Sequence, residues 1–316
     1  AELSGGAAAG LTRRHLVAIY RECIVTIGWH SSQLDRKPQM HPDEFRLMCY
    51  CVISSRDLRD VILRQSMFFR TRGDRLSVIH LTDDGPIARV TMDTLRRRKN
   101  FASFLSDLAG VSIFCRLYAW LLGVGLHDFS VELAYDAAYA NDALRGFFVG
   151  HLGFDAVANS ISFPRVLLDQ PVVRSPEELD ELLVEFPFDF MSARTYEMAL
   201  PDRIRSIYSV ALARRAELPS LDELARLVGA SPSTIRRRLG EARVSIRSLK
   251  DSARCDAVLD LLRQRRGSIS EAALAVGFRD LTSFRAAFRR WTGMSPARYL
   301  RTAAPEDGPP AWPDRA

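Results

Sequence analysis

One pattern is written twice in the last third of this chain. SLDELARLVGASPSTIRRRL begins at Ser220, and SISEAALAVGFRDLTSFRAAF begins 48 positions later, at Ser268. Ser220 matches Ser268, Glu223 matches Glu271, Ala225 matches Ala273, Val228 matches Val276 and Gly229 matches Gly277. The second copy has one extra residue after its glycine. From there Ile235 matches Phe284, Arg236 matches Arg285 and Leu239 matches Phe288. Each copy reads as helix, tight turn, helix. Ser-x-x-Glu has capping-box spacing, in which each side chain satisfies a free backbone donor at a helix start. Leu221, Leu224, Ala225 and Val228 then recur at helical spacing. Gly229 supplies the positive φ that a tight turn needs. Ser231-Pro232 starts the next helix, with serine as the cap and proline at the first helical position. Asp280 caps the corresponding helix of the second copy, and Ser295-Pro296 begins a third helix of the same kind.

Charge follows the repeat. The chain of 316 residues carries a net +6, yet residues 202–302 hold 21 Lys or Arg against 10 Asp or Glu. Residues 1–201 hold 22 against 25, and the tail from residue 303 holds one against three. A positive excess confined to paired helix-turn-helix units is the footprint of a surface that meets phosphates. The repeat and the charge together point to sequence-specific binding of double-stranded DNA.

Between the copies, Ile246, Leu249, Ala253, Val258, Leu261 and Leu262 recur at intervals that suit one helix. From Ser245 to Gln264 it would run ~30 Å at 1.5 Å per residue. That approaches the ~34–36 Å between successive major-groove faces on one side of a duplex. One chain could then cover two consecutive groove segments without dimerising.

Helical phase selects the candidate readers. With Ile235 and Leu239 facing the core, Ser233 and Arg237 point away and Thr234 and Arg236 flank them; Arg238, nearer the core side, is assigned to phosphate. With Phe284 and Phe288 inward and Trp291 close to them, Thr282 and Ala286 point outward, flanked by Ser283 and Arg285. Arg279, in the turn ahead of the second reading helix, completes the set of DNA-binding candidates. Arginine donates two bonds to guanine, whereas alanine only touches a thymine methyl, so the first helix should discriminate more. For each arginine, base reading and backbone contact both stand open, since at least half of such contacts go to phosphate and sugar.

ALAVGFRDLTSFRAAFRRWTGMSPARYL resembles the signature of the AraC/XylS family of bacterial transcription regulators, and SLKDSARCDAVLDLL resembles that family's linker helix. The resemblance covers the basic third of the chain. It implies a seven-helix domain with two helix-turn-helix units, and activation near a promoter with RNA polymerase as a partner. It places the first unit's readers on Ser233, Thr234, Arg236 and Arg237, and the second unit's on Thr282, Ser283, Arg285 and Ala286. Many relatives carry longer polar or basic residues at the position of Ala286.

The expected organisation is an arm and flanking segment over 1–39, flexible over 1–12; an α+β sensor and dimerisation domain over 40–198; an all-α DNA-binding domain over 202–302, with two helix-turn-helix units joined by a linker helix; and a disordered, proline-rich tail over 303–316. DEFRLMCYCVISSRDLRDVILRQSMFF reads as two helices. RLSVIHLT and IARVTM alternate as strands around the turn Asp83-Asp84-Gly85-Pro86. FASFLSDLAGVSIFCRLYAWLLG, apolar on most sides, is a helix that is either central or paired with another subunit. FSVELAY and NSISF are strands, with NDALRGFFVGHLG a helix between them. PFDFMSARTYEMALPD joins the domains, and Pro201-Asp202 marks the start of the basic one. FDAVANSISFPRVLLDQPVVRSPEEL resembles the arabinose-binding-like sensor domain of some family members. This implies a small-molecule effector and a homodimer, without naming the ligand or its contacts.

Other classes lack support. The histidines show no H-E-x-x-H spacing, and no G-x-x-x-x-G-K-[ST] or G-x-G-x-x-G loop is present. Asp83-Asp84 is a turn rather than a catalytic pair, so no enzyme activity, cofactor or metal is expected. Arg96-Arg97-Arg98-Lys99 is a basic run at a helix start, either a solvated face or a contact to DNA or polymerase. Five scattered cysteines suit reduced thiols in a cytosol, with Cys49 and Cys51 in the core. The start is apolar first and basic afterwards, the reverse of a secretory signal, and no apolar run suggests a membrane partner, so a cytoplasmic location is expected. A regulator gated by a small molecule is one reading. A DNA-binding protein gated by a partner, or by nothing, whose first domain is only an interaction module, is the alternative.

Overall fold

The structure is a computed structural model and describes residues 12–35, 40–73, 77–139, 151–184, 186, 197–263 and 268–302. The chain divides into two compact units, with the boundary at Ala199–Leu200 and the short stretch Arg226–Gly229 grouped with the first. In the first, helices α1 (Arg13–Asp35), α2 (Pro42–Ile53), α3 (Leu58–Thr71), α4 (Phe101–Leu122) and α5 (Pro176–Leu183) accompany five strands. These are β1 (Val78–Thr82), β2 (Ile87–Asp93), β3 (Ser130–Glu132), β4 (His151–Gly153) and β5 (Asn159–Pro164), in the order β1-β2-β5-β3-β4. All pairs are antiparallel except β3 with β4. The β1–β2 hairpin turns where the aspartates and glycine direct it. Arg59 Nη2 holds the Asp83 carboxylate at 2.7 Å, and Arg165 Nε donates to the Asp83 carbonyl at 3.1 Å.

Helix α4 is buried at every residue from Val111 to Leu122 and packs on α1, α3, β3 and β5. It is long and apolar enough to cross a membrane, but most of it is enclosed within this unit. Its apolar circumference therefore marks the central element of the unit. Two charged side chains go in with it, Asp107 and Arg116. Asp107 is 1% exposed and accepts hydrogen bonds from Thr94 Oγ1 (3.0 Å), Tyr135 Oη (2.7 Å) and Asn159 Nδ2 (3.1 Å), and it pairs with Arg96. A buried carboxylate is tolerable only when saturated in this way. Burial first, and then the Asp107 charge, push the Tyr135 hydroxyl well above its ordinary pKa, so it remains a donor.

Four expectations change. Residues 13–35, read as flanking segment, form α1, which packs along α4. The helix expected over NDALRGFFVGHLG ends instead as a strand, His151–Gly153, because this stretch pairs with β3; its residues 141–150 lie outside the described residues. Cys51 is exposed while Cys49 is buried, since α2 turns Phe45, Met48, Cys49 and Val52 inward and the opposite face outward. Phe101, the first residue of the helix read as apolar on most sides, is itself 52% exposed. The basic run precedes α4, whose cap is Asn100, and its members are committed locally: Arg96 to Asp107 and Ser106, Arg97 to Asp93, and Lys99 to the face of the Tyr135 ring at 4.0 Å. The expected arm over 1–11, most of the interdomain join (187–196) and the tail over 303–316 lie outside the described residues.

The second unit shows seven α-helices among the described residues and no strand: α6 (Leu200–Ala213), α7 (Leu221–Val228), α8 (Pro232–Glu241), α9 (Ile246–Arg263), α10 (Ile269–Ala275), α11 (Leu281–Thr292) and α12 (Pro296–Thr302). The rod α9 spans about 27 Å at 1.5 Å per residue. It lies against α6, burying Leu249, Ala253, Val258 and Leu262 opposite a partner that buries Ile204, Ile207, Tyr208 and Leu212.

Candidate nucleic-acid interface

Each helix-turn-helix unit is set by local chemistry. At the start of α7, Glu223 N–H donates to Ser220 Oγ (3.2 Å), and the Glu223 carboxylate accepts from Ser220 N–H (2.8 Å). Leu224 and Ala225 go inward. Gly229 turns the chain at φ 68°, where any side chain would be strained even though the space is open. Ser231 then caps α8 by accepting from Thr234 N–H at 3.1 Å, with Pro232 at the first helical position. Ile235 and Leu239 are buried at 0% and 2% exposure, which fixes the rotation of α8. Ser233, Arg236, Arg237 and Arg238 are therefore exposed, and Thr234 is half-buried.

The second unit repeats this plan. Ser268 and Glu271 form the box, Gly277 turns at φ 85°, and Asp280 caps α11 by accepting from Ser283 N–H at 2.7 Å. Phe284, Ala287 and Phe288 are buried, while Arg279, Thr282, Ser283, Arg285 and Ala286 are exposed. That backbone hydrogen bond, above all, holds the Asp280 carboxyl below the ordinary aspartate range; the bond from Ser268 N–H does the same for Glu271.

The outward residues differ in readiness. Arg236, Arg238, Arg279 and Arg285 show no side-chain partner among the described residues. Arg237 Nη1 pairs with Glu241 Oε1 at 2.6 Å, one turn on, where both side chains are well exposed. The hydroxyls of Ser233 and Thr234 each lie 2.8 Å from Ser231 Oγ and are drawn into the cap. Phase alone locates the faces of α8 and α11. The pairing of Arg237 and the clustering of the three hydroxyls at the cap depend on side-chain rotamers, which phase does not set.

Two family descriptions match this chain. The arabinose-binding domain of AraC transcription regulators covers residues 2–172, more than half of the chain, and a helix-turn-helix domain covers residues 224–302. The chain belongs to the AraC family of transcription regulators. This AraC-family regulator binds DNA through its helix-turn-helix region, and its family is one of regulators rather than enzymes. It is 26% identical over 263 residues to the HTH-type transcriptional regulator Rv1395 of Mycobacterium tuberculosis, spanning 81% of this chain and 74% of that one. It is 25% identical over 257 residues to the ornithine utilization regulator of Pseudomonas aeruginosa, spanning 80% and 73%. A crystal structure of the transcriptional regulator CdpR from Pseudomonas aeruginosa aligns over 92% of this chain and 93% of that one, at 19% identity and a TM-score of 0.33.

The family's amino-terminal domain here encloses a cavity of about 700 Å³ bounded by α1, α2 and α4. Its wall is mostly apolar, with Ile24, Phe45, Phe69, Met92 and Phe114 among the lining residues, and Arg96 and Asp107 supply a polar corner. Arg21 and Arg46 also reach it but are committed to carbonyls at and just beyond the carboxyl end of α5. Arg46 Nη2 donates to Leu183 O at 2.7 Å, and Arg21 donates to Val184 O and Phe186 O at 3.2 and 3.0 Å. Cations at a helix carboxyl end are favoured there by its partial negative charge. Among the described residues, no group of three His, Cys, Asp or Glu could hold a metal ion.

Proposed function

We propose that this regulator is an effector-responsive transcription activator that reads two successive major-groove segments of a promoter with α8 and α11. Residues 202–302 act as the reading domain, and 40–198 together with α1 act as the sensor. Ser233, Arg236, Arg237, Thr282, Ser283, Arg285 and Ala286 face the bases, with Thr234 at the edge of that face, and Arg238 and Arg279 face phosphate. Activation takes place in the cytoplasm with RNA polymerase, and a second copy of the chain is the further partner. A rod of about 27 Å joining two outward faces supports reading from a single chain.

The observation that carries the effector half is the apolar cavity beside α1. Its size falls within the ~300–1,000 Å³ of small-molecule sites. The effector is a small, mostly apolar molecule whose one polar group lies at the corner where Arg96 pairs with Asp107. A ligand changes regulation only by binding one state better than the other.

Gly110 gives the test. It lines the cavity, and a Cβ added there would meet no atom within 4 Å. Leucine at this position occupies the cavity at no helical cost, since it is a better helix former than glycine by roughly 0.5–1 kcal/mol. The full chain is used to select an operator from random duplexes and is then titrated with a panel of small apolar acids and alcohols. A compound that raises the melting temperature and shifts operator affinity should lose both effects in Gly110→Leu, while operator binding without effector persists. A panel without any such compound, together with unchanged transcription in Gly110→Leu, supports the partner-gated alternative.

A further inference from the structure

Beside the second reading helix lies a cleft of about 590 Å³, between the amino-terminal half of α9 and one side of α11. Arg247, Lys250 and Arg254 enter it from α9 and Arg290 from α11, against one carboxylate, Asp251. Asp251 is already paired with Arg290 at 3.0 Å. Three cations remain uncompensated inside one concave surface. The apolar side of α9, Leu249, Ala253, Val258 and Leu262, is buried separately from these cations.

Two of the three are held in position by aromatic rings. The Arg254 guanidinium sits 5.5 Å from the centre of the Phe278 ring, and Lys250 Nζ lies 5.4 Å from that of Tyr208. Arg254 Nε is buried and has no hydrogen-bond partner among the described residues. A cation stacked on a ring keeps its charge and loses much of its freedom beforehand, so less entropy remains to be lost when an anion arrives. Ser283, one of the outward residues of α11, forms part of the cleft wall. The cleft is thus continuous with the face proposed to enter the groove.

We propose that this cleft is a phosphate clamp. Arg247, Lys250 and Arg254 hold the sugar–phosphate backbone of the DNA strand bordering the groove segment that α11 enters. This rests on the reading of α11 as a groove-entering helix. The clamp gives the second unit an anchor on the backbone that does not depend on base identity, where its own outward face offers Thr282, Ser283, Arg285 and Ala286. It makes the linker helix part of the interface rather than only a spacer.

The test uses the full chain, its selected operator and a random duplex, with affinities measured over a potassium chloride series. Arg247→Ala and Lys250→Ala should each weaken both duplexes equally, and the double variant should do so roughly tenfold at moderate salt. The slope of log affinity against log salt should become shallower by about 0.9 for each phosphate that is no longer neutralised. Lys250→Arg should keep the wild-type slope, and unchanged melting temperatures separate a missing charge from a damaged fold. Unchanged slopes in both alanine variants, while Arg285→Ala still weakens operator binding, would overturn the clamp and leave α11 as a reader. Silence of Arg285→Ala as well removes α11 from the interface and the clamp with it. Intact DNA binding combined with loss of transcription by added RNA polymerase would assign the cleft to the polymerase and equally overturn the proposal.

Discussion

Helix α8 is seated on two aliphatic residues, Ile235 and Leu239, whereas α11 is seated on Phe284, Ala287 and Phe288. Around the second seat the aromatics continue. Phe278 lies 5.5 Å from Phe284 and 5.9 Å from Trp291, and Phe288 lies 5.8 Å from Tyr299 of α12. The outward faces are unequal in the opposite sense. Three consecutive arginines, 236 to 238, stand on the reading turns of α8, whereas the matching turns of α11 carry Arg285 among Thr282, Ser283 and Ala286, and its exposed Arg289 and Arg290 follow in the last turn. The capping residue, the positive-φ glycine and the helical phase are shared, so the backbone plan of the motif is independent of what fills its core and what faces out. The first copy gathers its arginines on the reading turns, whereas the second sets two of its three toward the helix end and fills its interior with aromatic rings.

The largest expected effect tests that interior. Phe284→Ala should destabilise the second unit by about 3–5 kcal/mol, and Leu239→Ala by about 2–5 kcal/mol with less aromatic packing to lose. Denaturant unfolding of the full chain, followed by Trp291 fluorescence, reads both. A smaller loss at Phe284 than at Leu239 would break the contrast between the two cores.

Next in size is the contrast between the outward faces. Arg237→Ala should cost about 1–3 kcal/mol at one operator position and relax specificity there. Equal losses on operator and random DNA would turn Arg237 into a backbone contact. The pair with Glu241 sharpens the test, because Arg237 must leave it to reach a base. Exposed i,i+4 pairs are worth only about 0.3–0.5 kcal/mol, so Glu241→Gln should tighten operator binding by about twofold. It should have no such effect in an Arg237→Ala background. The equivalent change on α11, Arg285→Ala, should shift specificity over its own half of the site and leave the half read by α8 untouched.

Much of this contrast was legible in residue order because its causes are local. Ser220 and Glu223, or Ser268 and Glu271, are three apart and meet across a single turn. Burial of Ile235 with Leu239, or Phe284 with Phe288, fixes a face by phase alone. The turn at Asp83–Pro86 and the length of α4 were legible for the same reason. Helix α1 was not, because Ile19, Val25 and Trp29 are each more than half exposed and its apolar residues trace no single stripe. Strand β4 has three residues, and what makes it a strand is a parallel partner some twenty positions earlier in the chain, Ser130–Glu132. Cys51 could have been placed by the same phase argument that placed the readers, since Met48, Cys49 and Val52 point the other way. The cleft is invisible to periodicity. It exists only because α9 and α11, far apart in order, bring Arg247, Lys250, Arg254 and Arg290 together.

The smallest expected effect separates the two reading helices by acid. The cap of α8 is the Ser231 hydroxyl, which does not titrate, and the cap of α11 is the Asp280 carboxylate, which does. The folded Asp280 value lies below the ordinary aspartate value, chiefly because the carboxylate accepts from Ser283 N–H. Its contribution to α11 is therefore complete above the unfolded aspartate value, near pH 4, and is lost as the pH falls through the lower folded value. Glu271 of α10 is depressed in the same direction, so both caps of the second copy weaken together on the acid side. Hydrogen-exchange protection at Ser283 and Phe284, normalised for intrinsic rates, should fall below pH 4 relative to that at Thr234 and Ile235. Asp280→Asn keeps an acceptor at the cap and removes the titration, and should abolish the difference at Ser283. If the two first turns lose protection in parallel, the caps are energetically alike, and the asymmetry between the copies is confined to their cores and outward faces.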